Sequence, residues 1–143
     1  MTGIDFYFNA QDRLHVACRL AGKAMKQHQR LLIHAPDSEA AARIDKMLWT
    51  WPAIGFVPHC TARSPLAAET PVLIASGDET PEGCEVLLNL GAECPPHFER
   101  FARLLEIVDT QDREAGRERY RFYRERGYKI TNHDLAQENT AGE

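Results

Sequence analysis

Short, unbroken apolar runs recur along the chain: Phe6-Tyr7-Phe8, Leu31-Leu32-Ile33, Val72-Leu73-Ile74, Val86-Leu87-Leu88 and Leu104 to Val108. A strand with one wet face alternates apolar and polar residues. Runs without alternation suit strands buried on both faces, as in a largely parallel sheet. Between them, Asp12 to Gln27 places Leu14, Ala17, Cys18, Ala21 and Met25 at helical spacing, with small residues that allow close packing on a sheet. Asp37 stands where a second helix needs its N-cap; that helix runs to about Trp51 and is stopped by Pro52. A third helix runs from about Asp112 to Arg126 and ends at Gly127. The order strand, helix, strand, helix, further strands and a final helix predicts an α/β three-layer sandwich with a largely parallel central sheet and Rossmann-like topology. Thr61 to Thr70 and Gly77 to Gly83 are rich in turn formers and read as loops. Residues 1–135 form one α/β domain in this reading, and the polar tail 136–143 is expected to be disordered.

The length changes this picture little: 143 residues fit one domain, large enough to bury roughly 70% of its unfolded surface without staples. A net charge of −4 argues against a nucleic-acid coat or a membrane-surface protein. Cys18, Cys60, Cys84 and Cys94 form no C-x-x-C pair, so reduced thiols are expected. The first residues show no positive segment leading into an apolar one, and no apolar run nears the ~20 residues of a membrane span. A cytoplasmic protein with no membrane partner is the expectation.

Candidate chemistry is sparse. A phosphate site after the first strand needs glycines, so that backbone N–H groups can approach the anion. The turn here reads Asn9-Ala-Gln-Asp-Arg13, without one. No P-loop and no G-x-S-x-G elbow occurs. His59-Cys60 and the pair Cys94 and His97 each offer two metal ligands, where a structural zinc site takes four. Asp78, Glu79, Glu82 and Glu85 read as solvated loop charges. The expectation is a protein with no catalytic residues, cofactor or metal.

Two features ask for partners. At about 100° per residue, Arg113, Arg117, Tyr120, Arg121 and Arg124 fall on one stripe of the third helix. Glu114, Glu118 and Glu125 gather beside it, and Ala115 and Phe122 point the opposite way, towards a core. Between Gln111 and Lys129 there are seven basic and four acidic residues, a positive segment in an acidic chain. Four arginines beside an aromatic suit carboxylate or phosphate, which guanidinium binds through a planar fork. On the second helix, Ala40, Ile44, Met47, Leu48 and Trp51 share the core stripe. Trp49 lies about 180° from Ala40, where it is either covered by another segment or, with Phe56, part of an interface.

Several of these residues stand in a specific order: Asp5-Phe-Tyr-Phe8, then Asp45-Lys-Met-Leu-Trp49, Phe56-Val-Pro-His59, Arg117-Glu-Arg-Tyr-Arg-Phe-Tyr-Arg124 and Gly127-Tyr128. In that order and spacing the chain resembles the chi subunit family of bacterial DNA polymerase III holoenzyme, over roughly residues 1–135. The resemblance implies an α/β sandwich and a non-catalytic subunit associated with the clamp loader in DNA replication. It also implies two partners: the acidic C-terminal tail of single-stranded DNA-binding protein, and the psi subunit or a functional replacement. The family's tail site corresponds to Arg117, Tyr120 and Arg121; Arg113 and Arg124 join it by helical geometry alone. Its psi-facing surface corresponds to Trp49 and Phe56. DNA would be met only indirectly. The alternative is direct binding of single-stranded nucleic acid, with Tyr120, Phe122 or Tyr123 stacking on bases.

Overall fold

The computed structural model describes residues 2–50, 58–77 and 81–136. Within them, seven strands form one sheet: β1 Gly3–Ala10, β2 Leu31–His34, β3 His59–Thr61, β4 Val72–Ala75, β5 Val86–Asn89, β6 Arg103–Asp109 and β7 Ile130–Asp134. Across the sheet the order is β3-β4-β2-β5-β6-β1-β7, and every neighbouring pair is parallel. The α/β sandwich expected from the apolar runs is therefore present. Strands β2, β4 and β5 hold only leucine, isoleucine and valine up to their last residues, because both faces of each are covered.

Three helices complete the layers: α1 Arg13–Lys26, α2 Ser38–Thr50 and α3 Arg113–Glu125. On one face α1 and α2 bury Val16, Ala17, Ala21, Ile44 and Leu48 against Leu31, Ile33, Val72 and Ile107. On the other, Tyr123 of α3 and the turn holding Phe98 and Phe101 cover Ile4, Phe6, Leu32, Leu73 and Leu104. The helix ends follow local chemistry. Asp12 Oδ1 accepts from the N–H groups of Leu14 and His15 at 3.0 and 3.4 Å, and Asp37 Oδ1 from Ala40 at 2.8 Å. Each such cap contributes about 1 kcal/mol. Gly127 ends α3 at φ 81°, a left-handed conformation that glycine adopts without strain.

Two expectations need correction. The third helix is not the last element among the described residues, because β7 follows α3 and pairs with β1, Ile4 beside Ile130 and Phe8 beside Asp134. Nor is the core side of α3 centred on Ala115 and Phe122, although Phe122 packs at the core's edge against Phe98. Both are half-buried, and the buried positions are Gly116, Arg119 and Tyr123. Close approach explains Gly116: a Cβ there would lie 2.7 and 2.9 Å from the two methyls of Val108 on β6. The sites predicted at Phe56, Trp51, Pro52, Asp78 and Glu79, and the tail beyond Ala136, lie outside the described residues.

Candidate functional site

Strands β1 and β6 are neighbours, yet the chain leaves β1 for α1 on one face and β6 for α3 on the other. Connections that diverge in this way open a crevice at the carboxyl ends of the two strands, where parallel α/β sheets bind their ligands. A cleft of about 450 Å³ opens at this place, lined by Phe6, Phe8 and Asn9 of β1, Val108 and Asp109 of β6, Arg113, Gly116, Arg117 and Tyr120 of α3, and Asn132 of β7. Local irregularity shapes its mouth. The β1–β6 register shifts between Tyr7 and Ala10, and Asn9 sits at φ 64°, a left-handed conformation that asparagine tolerates better than most residues.

Tyr120 forms one wall, its ring edge-on to Phe6 with centroids 5.0 Å apart and its hydroxyl accepting from Asn132 Nδ2 at 3.3 Å. Phe6, Phe8 and Val108 supply apolar surface beside it. Arg113 and Arg117 are exposed and make no ion pair with any described residue. The cleft thus combines an apolar recess with two guanidiniums that make no ion pair among the described residues, and Asp109 is the one carboxylate among its lining residues. It can hold an anionic group at the rim and an apolar group behind it. The lining includes no serine, cysteine or histidine.

Three of the five predicted stripe residues, Arg113, Arg117 and Tyr120, come together here. Arg121 and Arg124 are exposed but do not line the cleft. Arg121 stands 3.8 Å from Glu118, a loose contact between side chains 64% and 74% exposed. The turn after β1 holds the Asp12 carboxylate on the first free N–H groups of α1, where a phosphate would otherwise bind. No group of three or more His, Cys, Asp or Glu among the described residues could hold a metal ion.

Trp49 stands apart from this cleft on α2 and is 60% exposed. Its ring meets His59 edge-on at 5.2 Å, and the buried His59 side chain lies 3.2 Å from Asp45. The two middle motifs, which end in Trp49 and His59, therefore meet in space. One buried network was not foreseen from the sequence, which offered Tyr123 only as a base-stacking residue: Asn89, Glu106, Arg119 and Tyr123 are each at most 2% exposed and joined by hydrogen bonds beneath α3. A lone glutamate within the run Leu104 to Val108 was the available signal, since a strand buried on both faces must supply such a carboxylate with a partner.

Fold and site together define an α/β protein of the three-layer class that presents an arginine-edged cleft at the switch point of its sheet. The family described as DNA polymerase III chi subunit, HolC, matches residues 1–131. The chain is 36% identical over 141 residues to DNA polymerase III subunit chi of Pseudomonas aeruginosa, covering 94% of this chain and 98% of the relative. Its identity to the Escherichia coli chi subunit is 29% over 118 residues, 80% of either chain. The Haemophilus influenzae chi subunit is 27% identical over 123 residues, 84% of this chain and 85% of the relative. The chain belongs to the chi subunit family of DNA polymerase III, and so is an accessory subunit of a replicative polymerase.

Proposed function

We propose that this subunit is a non-catalytic adaptor, holding the acidic C-terminal tail of single-stranded DNA-binding protein in the α3 cleft and a second protein at Trp49 and Phe56. The observation that carries this reading is the pair Arg113 and Arg117, which make no ion pair among the described residues, beside a recess built from Phe6, Phe8, Val108 and Tyr120. Acidic side chains and a terminal carboxylate suit the guanidiniums, and an apolar end residue suits the recess. The second partner is psi or a functional replacement, and association with the clamp loader and a cytoplasmic location follow from the same reading. Tyr123 is buried and Phe122 lies under the Arg126 guanidinium at 4.0 Å, which favours a peptide over stacked bases at α3.

Calorimetry with an acidic peptide ending in an apolar residue tests the assignment. Arg117→Glu should cost at least about 1.5–3 kcal/mol, the contribution of one charged hydrogen bond. Arg124→Glu, off the cleft, should cost only about 0.5 kcal/mol through screened surface charge. Equal losses from the two variants, or wild-type affinity in Arg117→Glu, would remove the cleft from the account. Tighter binding of an oligonucleotide than of the peptide would overturn the adaptor reading.

A further inference from the structure

Glu106 is completely buried on β6, under α3. Its oxygens accept from Arg119 Nε at 2.8 Å, from the Tyr123 hydroxyl at 2.6 Å and from the Asn89 amide at 3.1 and 3.2 Å. Arg119, its side chain 1% exposed, directs its other N–H groups to the Ala92 carbonyl at 3.0 Å and to Asp112 Oδ2 at 2.9 Å. Asp112 occupies the N-cap position of α3, but its side chain caps nothing. Its carboxylate is instead drawn inward, to Arg119 and to Arg13, whose Nε lies 3.8 Å away.

Stability alone is a poor explanation for this arrangement. Desolvating two charges offsets most of their attraction, and well-packed apolar residues in place of a buried pair are often neutral or stabilising. What the pair does supply is direction. Arg119 bridges β6 and the first turn of α3, and that turn begins with Arg113, one of the two cations of the cleft.

We infer that Arg119 is a positioning residue for the anion cleft: it keeps the Asp112 carboxylate away from Arg113 and fixes α3 where Arg113, Arg117 and Tyr120 line the crevice. The inference rests on the reading of that cleft as the acidic-tail site. Without Arg119, Asp112 keeps only the loose contact with Arg13, whose Nε is 3.8 Å away, and, being adjacent in sequence to Arg113, would place a negative charge at the rim and compete with an acidic ligand for the guanidinium. Burial acts to lower the Arg119 pKa, but Glu106 and Asp112 outweigh it and leave it raised, so the bridge stays charged. Burial also raises the Glu106 pKa, against the pull of Arg119, Tyr123 and Asn89, so removing the guanidinium alone would leave a fully buried carboxylate without its cation.

The test is the double variant Glu106→Gln/Arg119→Met, which leaves no bare carboxylate at position 106, with and without Asp112→Asn. The double variant should bind the acidic peptide about tenfold more weakly than wild type, and Asp112→Asn should restore most of that loss. A folded double variant with wild-type affinity, or a loss that Asp112→Asn does not repair, overturns the inference. Should the double variant not fold, Arg119→Lys keeps a charge that cannot bridge both acids, and the same loss and repair are expected of it. A readout on the free protein separates this inference from the cleft assignment: the Arg113 Nε resonance should shift when Asp112 is released, even if no acidic peptide binds. An unmoved resonance overturns the positioning role, whereas failure of wild type to bind peptide overturns the cleft assignment alone.

Discussion

Gly116 is where α3 comes nearest the sheet, and alanine there is a sharp test of how the helix is seated. In a helix interior this substitution ordinarily stabilises by about 1 kcal/mol, because glycine loses more backbone freedom on folding. Here the added carbon would lie 2.7 and 2.9 Å from the methyls of Val108, too close for either to remain in place. Overpacking of this kind costs about 1–3 kcal/mol. Val108 is poorly able to yield, since it is β-branched and its strand is held between β5 and β1. The clash should therefore win, with a net loss of up to about 2 kcal/mol and a fall in Tm of up to about 7 °C. Lifting α3 also moves Arg113, Arg117 and Tyr120 away from Phe6 and Phe8, so affinity for an acidic peptide should fall with stability. Val108→Ala removes both offending methyls. Urea denaturation of the two single variants and the double should show a favourable coupling of about 1–2 kcal/mol. Gly116→Ala at or above wild-type stability, or strictly additive variants, would refute this seating of α3.

Trp49→Ala should abolish capture of psi or its replacement, an interface tryptophan often being worth 2 kcal/mol or more by such truncation; the Tm and acidic-peptide affinity should hold, because the ring is 60% exposed, and a joint collapse of all three would make Trp49 a core residue. The protein should also lose stability in alkali. Burial, helped by Asp12, pushes the Cys18 thiol up from 9.0 to about 12, so between those values the unfolded chain releases a proton that the folded one keeps. Stability should therefore fall by about 1.4 kcal/mol per pH unit across that window, and Cys18→Ala should flatten the slope. Tyr123, raised by burial and then by Glu106, adds to the loss above pH 10, so Tyr123→Phe should relieve part of it; a flat stability profile from pH 9 to 11 in wild type would contradict both.

The parts of the fold that were legible in the sequence are those where one residue type has one use. Asp37 announced a helix start because a short carboxylate can reach free N–H groups, and Gly127 announced a stop through its left-handed backbone. The buried strands were legible because both their faces are dry. The two edge strands were not. His59–Thr61 and Ile130–Asp134 are short and polar, and an edge strand has no need of an apolar pattern. On α3 the four stripe arginines are exposed and Tyr120 is half-buried against Phe6, but the cleft residues could not be separated from Arg121 and Arg124, since helical angles say nothing of what lies on β1 and β7. Arg119 was missed because arginine on a helix is read as outward-facing, and the residue that reverses this, Glu106, is thirteen positions away on another element.

The way α3 is attached explains how one helix can be both anchored and cationic. Arginines occupy five of its thirteen positions, and it offers the sheet no aliphatic face. Its seat is made instead from directional contacts. Tyr123 meets Phe6 and Phe98 edge-on with centroids 6.0 and 5.2 Å apart, its hydroxyl donates to Glu106, and Arg119 closes the ion pair beside it. Apolar burial is non-directional and tolerates sliding, whereas edge-on rings and bidentate guanidinium contacts lose strength with small displacements. A helix seated by such contacts has one favoured height and rotation. The exposed Arg113 and Arg117 inherit that fixed geometry without needing carboxylates of their own to hold them, which leaves their charge available to a ligand. The sorting of arginines on α3 is thus set by the opposing strands: Arg119 faces Glu106 and anchors the helix, and Arg113 and Arg117 line the open crevice beside β1.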